Sequence, residues 1–152
     1  LWVLQLHVGV IKLLYIYIGI FGFLGAIARF ELGRFIAILW PSTFPLGTLI
    51  INILGCFAMG FILTYSLERL TLSPELRLGI TTGFVGAFTT FSTFSVETIT
   101  LLTSGHIAYA AIYVLVSTLG GLTAVRAGII LTRIPILSAF KVQQTGAETG
   151  RR

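Results

Sequence analysis

Charge is scarce in this sequence: ten Lys and Arg against five Asp and Glu in 152 residues, 10% in all, where soluble domains carry roughly a quarter. So little charge cannot clothe a soluble surface, and a mean hydropathy of +1.00 assigns the chain to a membrane. Cysteine is nearly missing. Cys56 stands alone in an apolar run, which excludes an internal disulfide and a multi-cysteine metal site and leaves packing as its role. The sequence has no H-E-x-x-H, no G-x-S-x-G and no usable His–Cys pairing, and His7 and His106 are solitary residues at span ends. An enzyme is therefore not indicated, and nothing points to nucleic acid. Proline is rare too, and Pro41, Pro45, Pro74 and Pro135 serve only to punctuate.

What is present is long apolar runs. Crossing a ~30 Å hydrocarbon core takes about 20 residues, and four such spans fit, at about residues 13–39, 46–67, 74–103 and 107–131. The first is interrupted in its second half by Arg29, Glu31 and Arg34 and stops at "WPSTFP". The third begins at Pro74, a good first-turn residue, behind the cap Ser73. "TSGH" predicts a tight turn, and Arg133 with Pro135 closes the fourth. The reading is an all-α integral membrane protein with one transmembrane domain, residues 1–133, and a polar basic tail, residues 134–152. No cleaved signal peptide is expected. Four spans put both ends on one side with Lys12, Arg69, Arg77, Arg126, Arg133 and Lys141, against Arg29 and Arg34 opposite. Positive residues favour the cytoplasm, so the chain reads as a multi-pass protein of the cell inner (cytoplasmic) membrane with cytoplasmic termini.

Small residues pattern three spans: Gly19, Gly22 and Gly25, then Gly79, Gly83 and Gly86, then Gly120, Gly121 and Ala124. Such spacing lets helix backbones approach where lipid provides no hydrophobic drive. Four short helices enclose little interior, so these faces predict a homo-oligomer, most simply a dimer.

One stretch contradicts the lipid setting. "TTFSTFSVET", residues 89 to 98, holds six hydroxyls, two phenylalanines and Glu97. At about 100° per residue, Phe91, Phe94, Ser95 and Thr98 share one helix face, and Thr90, Thr93 and Glu97 share another. Hydroxyls bonded to their own i−4 carbonyls, or to neighbouring helices, would explain part of this. They do not explain a carboxylate, which costs about 2.5 to 3.5 kcal/mol at mid-span unless water, a partner or a conduction path receives it. Just ahead, Gly83 and Gly86 weaken the helix and permit a break. A break frees carbonyls for a cation and a helix N-terminus for an anion. Asn52, an amide among apolar neighbours, is either an interhelical hydrogen bond or a donor aimed into a path. Arg29 cannot face Glu31 at a spacing of two, so it serves a helix terminus, another carboxylate, an incoming anion or the interface by snorkelling.

The run "GFVGAFTTFSTFSVE", with "GTLIINILG" before it and "GFLGAIAR" in the first span, resembles the Fluc-type fluoride channels, the CrcB-like fluoride exporters, over roughly residues 12 to 133. The resemblance implies an antiparallel, dual-topology homodimer with the third helix broken at its middle and two fluoride pores at the subunit interface. It implies that Phe91 and Phe94 line each pore with Asn52 as an amide donor. Thr48, Ser92, Thr93, Ser95, Tyr113 and Ser117 would belong to the polar track, Glu97 to its vestibule end, and Arg29 would match the first-helix arginine. Backbone carbonyls of Gly86 and Thr89 would hold one structural sodium at the dimer centre. One turn beyond Ser117 the track meets Gly121, and Thr118 is read as pointing elsewhere.

Fluoride is small and strongly hydrated, so a pore must replace its water with a series of modest donors. Hydroxyls, an amide and the positive edges of aromatic rings meet that need without the trap of a full charge. Two other readings remain: a small dual-topology multidrug or guanidinium exporter, and a non-conducting membrane assembly subunit that uses its polar side chains as glue.

Overall fold

The computed structural model describes residues 2–68, 70 and 72–134. The tail from residue 135, with Pro135 and Lys141, and Arg69 lie outside the described residues, as do the side chains of residues 2–10, His7 among them. Helix α1 is Trp2–Leu39 and α2 is Leu46–Glu68. The third span is assembled from α3, Pro74–Leu78, a π-helical segment Gly79–Val85, α4, Gly86–Phe88, and α5, Phe91–Thr103. Helix α6, Ile107–Arg133, completes the chain. The four stretches apolar enough to cross a membrane are Ile11–Leu39, Leu46–Glu68, Pro74–Thr103 and Ile107–Arg133. They match the expected spans except that helix α1 extends well before residue 13, where no proline or cap stops it.

The punctuation acts as the sequence implies. Ser73 Oγ accepts the Leu76 N–H at 3.3 Å, capping α3 behind Pro74. Gly105 takes φ +80° in the turn between α5 and α6, a conformation that costs a glycine little. The α1–α2 connection "WPSTFP" has no helix.

Helix α6 lies along α2, and α1 packs on the first half of the third span. Glycine sets both distances. A Cβ on Gly25 would sit inside the main chain of Phe84, and one on Gly83 would press on the carbonyl of Ile18. Gly60 meets the backbone of Val125, and Gly128 that of Phe57 and Phe61. These contacts correct the argument from small-residue faces. Gly25, Gly79 and Gly83 are used inside the subunit, so they call for no second copy; Gly19 meets nothing within 4 Å.

The interior is thin. Leu49, Leu101, Ala110 and Tyr113 form the buried cluster, with Phe44, Leu46, Ile53 and Phe94 packed against it. It therefore sits where the start of α2, the end of α5 and the start of α6 meet, and it holds the polar groups of those helices in fixed positions.

Candidate functional site

The third span is broken, but not at its glycines. Gly83 and Gly86 stay helical, and the chain becomes extended at Thr89 (φ −82°, ψ 157°) and Thr90 (φ −147°, ψ 112°). The reason is local competition for hydrogen bonds by threonine hydroxyls. Thr89 Oγ1 turns back to the Val85 carbonyl at 3.1 Å, and Thr90 Oγ1 accepts the Thr93 N–H at 3.2 Å, serving as N-cap of α5. The methyl group of Thr89 fills the space that Gly55 leaves on α2.

Two long side chains hold the break from either flank. Asn52 Nδ2 donates to the Thr90 carbonyl at 3.0 Å, and the Thr90 N–H donates to Asn52 Oδ1 at 2.8 Å. Arg29 Nε donates to the Ala87 carbonyl at 3.1 Å, placing a cation at the C-terminal end of α4. Of the roles open to Arg29, the helix terminus is one that its Nε fills. Glu31 pairs instead with Arg34 at 2.9 Å, an exposed bridge worth at most about 1 kcal/mol.

Glu97 lies six residues before the end of α5, about 9 Å along the helix. Thr48 Oγ1 donates to its Oε1 at 2.9 Å and Tyr113 Oη to its Oε2 at 2.7 Å. Tyr113 is 0% exposed and Thr48 8%. Hydrogen bonds to a charged group contribute about 1.5 to 3 kcal/mol each, so the pair offsets the insertion cost of the carboxylate. Tyr113 is held in turn by rings. Its centroid lies 5.1 Å from Phe94 and 5.6 Å from Phe44, with Phe91 5.7 Å beyond Phe94.

Three cavities surround these groups. A basin of about 450 Å³ is lined by Arg29, Arg34, Thr48, Thr90, Thr93 and Glu97 with apolar walls from α1 and α2. A chamber of about 300 Å³ is lined by Asn52, Cys56, Thr89, Thr90, Phe91, Phe94, Ser117 and Thr118. A cleft of about 270 Å³ reaches Glu97 past Ser42, Thr43, Thr100 and Ser104. Thr90 borders both the basin and the chamber. In the chamber wall Ser117 Oγ is buried and has no hydrogen-bond partner among the described residues, so its hydroxyl is a donor free of an acceptor there.

The expected residues thus divide. Asn52, Phe91, Phe94, Ser117 and Thr89 meet at the chamber, while Arg29, Thr48, Thr93 and Glu97 meet at the basin, with Tyr113 joining the two groups. Ser92 and Ser95 line none of the three cavities. Ser95 Oγ donates to the Phe91 carbonyl at 2.9 Å and Ser92 Oγ lies 3.3 Å from Thr90 Oγ1. Gly86 is exposed beside the break. Thr118, read as pointing away, lines the chamber, because the extended wall takes in adjacent residues of α6. Gly121 leaves room for Cys56, whose Sγ would lie 3.3 Å from a Cβ there. Phe44 was not singled out by sequence, and Thr90 was placed only on a helix face with Thr93 and Glu97; lying three residues before Thr93, it carries the N-cap signal that could have found its role.

Residues 16–129 match the family described as CrcB-like protein, Camphor Resistance. Among curated relatives, the chain is 54% identical over 140 residues to fluoride-specific ion channel FluC 1 of Moorella thermoacetica, covering 90% of this chain and 100% of that protein. It is 52% identical over 111 residues to fluoride-specific ion channel FluC 1 of Bacillus cereus, covering 73% and 81%. It is 45% identical over 114 residues to fluoride-specific ion channel FluC 2 of Listeria innocua, covering 75% and 86%.

Proposed function

The chain belongs to the CrcB-like family, and from that premise we propose that it is a fluoride channel, a multi-pass membrane protein that passively exports fluoride across the cytoplasmic membrane and performs no catalysis. The observation that carries the reading is the chamber at the fractured span. A dehydrated anion needs donors, and there Ser117 Oγ offers a hydroxyl with no acceptor among the described residues, Asn52 keeps one amide hydrogen beyond the one given to Thr90, and the rings of Phe91 and Phe94 offer positive edges. None of these groups carries a full positive charge, which suits an ion that must leave again. Arg29 and Arg34 border the adjoining basin, where they raise the local anion concentration without holding the ion in the chamber.

The chamber is open in the single chain, with Phe91 79% exposed. A second, antiparallel copy would cover that ring and close two such paths, one per subunit, each with the sequence Phe91, Phe94, Ser117, Tyr113, Glu97. This homodimer is the partner the reading requires.

A structural sodium belongs to the same reading, and the main chain at the break suits it. In a continuous helix the Thr90 N–H would bond the Gly86 carbonyl, but it goes to Asn52 Oδ1. The Thr93 N–H would bond the Thr89 carbonyl, but it goes to Thr90 Oγ1. Among the described residues Gly86 O keeps a 3.4 Å bond from the Thr89 hydroxyl. The two carbonyls named for sodium are thereby released, and main-chain oxygens are hard ligands of the kind a small cation takes. Bound there, sodium would supply a fixed positive charge beside the anion path.

Fluoride and chloride efflux from liposomes holding the purified protein, read with ion-selective electrodes, tests the function. Fluoride release that ignores an imposed proton gradient and far exceeds chloride release is expected. Proton-coupled uptake of an organic cation would place the chain with the small exporters. An assembly subunit would release neither ion, and its Phe94→Ile variant would have no ion-specific phenotype.

A further inference from the structure

Arg126 is a cation on α6 that the function proposed above does not use. It is exposed, and among the described residues the ion pairs are Glu31 with Arg34 and Glu68 with Arg133; Arg126 joins neither, nor any hydrogen bond. Helix geometry fixes which way it faces. Arg126 follows Ser117 by nine residues, which at about 100° per residue is the opposite side of α6 from the chamber. Gly128, where α6 meets the main chain of Phe57 and Phe61, is turned about 160° from it. A second copy covering Phe91 would sit on the chamber side and leave Arg126 facing outward. Leu115, Leu119, Leu122 and Ile130 fall within about 40° of Arg126, each more than half exposed. Thr123 beside them turns its hydroxyl to the carbonyls of Leu119 and Gly120. Arg126 therefore interrupts an apolar stripe that is otherwise suited to acyl chains.

We propose that Arg126 binds the phosphate of an anionic phospholipid in the leaflet where α6 ends, with an acyl chain laid along Leu122, Leu119 and Leu115. Depth supports this. Helix α6 has 27 residues, about 40 Å, and so overhangs a ~30 Å hydrocarbon core by about 5 Å at each end when centred. Arg126 lies seven residues before the last one, Arg133, which sets its Cα about 10 Å from the helix end and about 5 Å inside the hydrocarbon. A charge left there is costly, and the methylene stem of an arginine lets the guanidinium reach the headgroup level instead. Its planar fork matches two phosphate oxygens at once. The surroundings favour a headgroup with net negative charge. Arg133 falls on the same face of α6, its guanidinium paired with Glu68 at 3.0 Å and still 63% exposed, so the site holds two cations against one carboxylate. A zwitterionic headgroup brings its own ammonium into that field, and an anionic one does not.

The purified protein in detergent is titrated separately with dioleoylphosphatidylglycerol, with dioleoylphosphatidylcholine and with glycerophosphoglycerol, a soluble headgroup without acyl chains, while its melting temperature is followed. The temperature is expected to rise with phosphatidylglycerol and level off, with phosphatidylcholine acting only at higher fractions and the soluble headgroup giving no rise. Arg126→Gln should move the phosphatidylglycerol midpoint about tenfold higher, as expected for the loss of hydrogen bonds to a charged group. Lys12→Gln, which removes the same charge from the exposed face of α1, should leave it unmoved. An unchanged midpoint in Arg126→Gln overturns the proposal. So does a response to phosphatidylcholine or to the soluble headgroup as strong as that to phosphatidylglycerol, which would mark a general phospholipid coat or a free-phosphate site. Loss of dimer mass in Arg126→Gln by light scattering at every lipid concentration also overturns it, because a second copy then covers this face. Should Arg126→Gln not fold, Arg126→Leu, apolar like its neighbours, decides the same question. Fluoride efflux enters none of these readouts, so the channel reading stands or falls separately.

Discussion

The amide of Asn52 and the main chain of Thr90 form a closed pair: the amide donates to the Thr90 carbonyl at 3.0 Å and accepts the Thr90 N–H at 2.8 Å. One side chain on α2 thus engages both main-chain polar groups of Thr90, where the third span breaks. Asn52→Asp keeps the acceptor and reverses the other contact, setting a carboxylate oxygen against the Thr90 carbonyl. A buried acceptor left unpaired costs about 1 to 3 kcal/mol. The variant is expected to melt earlier in detergent and to lose fluoride efflux. A melting curve unchanged from the parent would show that the pair does not hold the break.

Tyr113 and Glu97 should behave as one unit. Tyr113→Phe keeps the ring between Phe94 and Phe44 and removes only the hydroxyl that donates at 2.7 Å. Glu97→Gln removes the charge that this hydroxyl serves. Each single change is expected to lower stability and slow efflux, and the double variant to fall short of their sum by about 0.5 to 3 kcal/mol. Additive melting effects would mean that the two groups do not interact in the working protein.

Glycines that look alike in sequence are predicted to differ sharply. Gly25→Ala drives a methyl group into the Phe84 main chain, whereas Gly19→Ala meets nothing within 4 Å. Overpacking costs about 1 to 3 kcal/mol, and the exposed substitution should stay within about 1 kcal/mol of the parent. Thermal unfolding of the two variants checks this directly. Equal melting temperatures would contradict the close packing of α1 on the third span.

Length and hydropathy were enough to place the four spans, because a bilayer sets the length of whatever crosses it. Ser73, Pro74 and the "TSGH" turn were legible for the same kind of reason, since each acts through its own neighbours. The position of the break was not. Glycine signals permission to unwind, but the chain unwinds where another group takes over its hydrogen bonds, and that group, Asn52, lies 38 residues away. The likeness of "TTFSTF" to a known family placed Asn52, Phe91, Phe94 and Ser117 together, and the chamber does bring them together. Ser95 illustrates the limit of face arithmetic: it shares a face with Phe94, yet its hydroxyl is turned back to the Phe91 carbonyl. Thr90 was placed on a face with Thr93 and Glu97 as though inside one continuous helix, whereas it is the N-cap of α5.

The sodium proposal makes a prediction that separates the ion from the fold. A ligand that binds only the native state stabilises it by about 2.7 kcal/mol at a hundred times its dissociation constant, so melting temperature should rise with sodium and level off, with N-methylglucamine giving no rise. Thr90→Val removes the hydroxyl that takes the Thr93 N–H, which lets that N–H return to the Thr89 carbonyl and compete with the cation. Loss of the cap lowers stability at every sodium concentration by about 1 kcal/mol. The midpoint of the sodium response should in addition move to higher concentration, by about tenfold if the competing bond contributes about 1.4 kcal/mol. A variant that is uniformly less stable, with its sodium midpoint unmoved, would show that the Thr89 carbonyl is not a ligand.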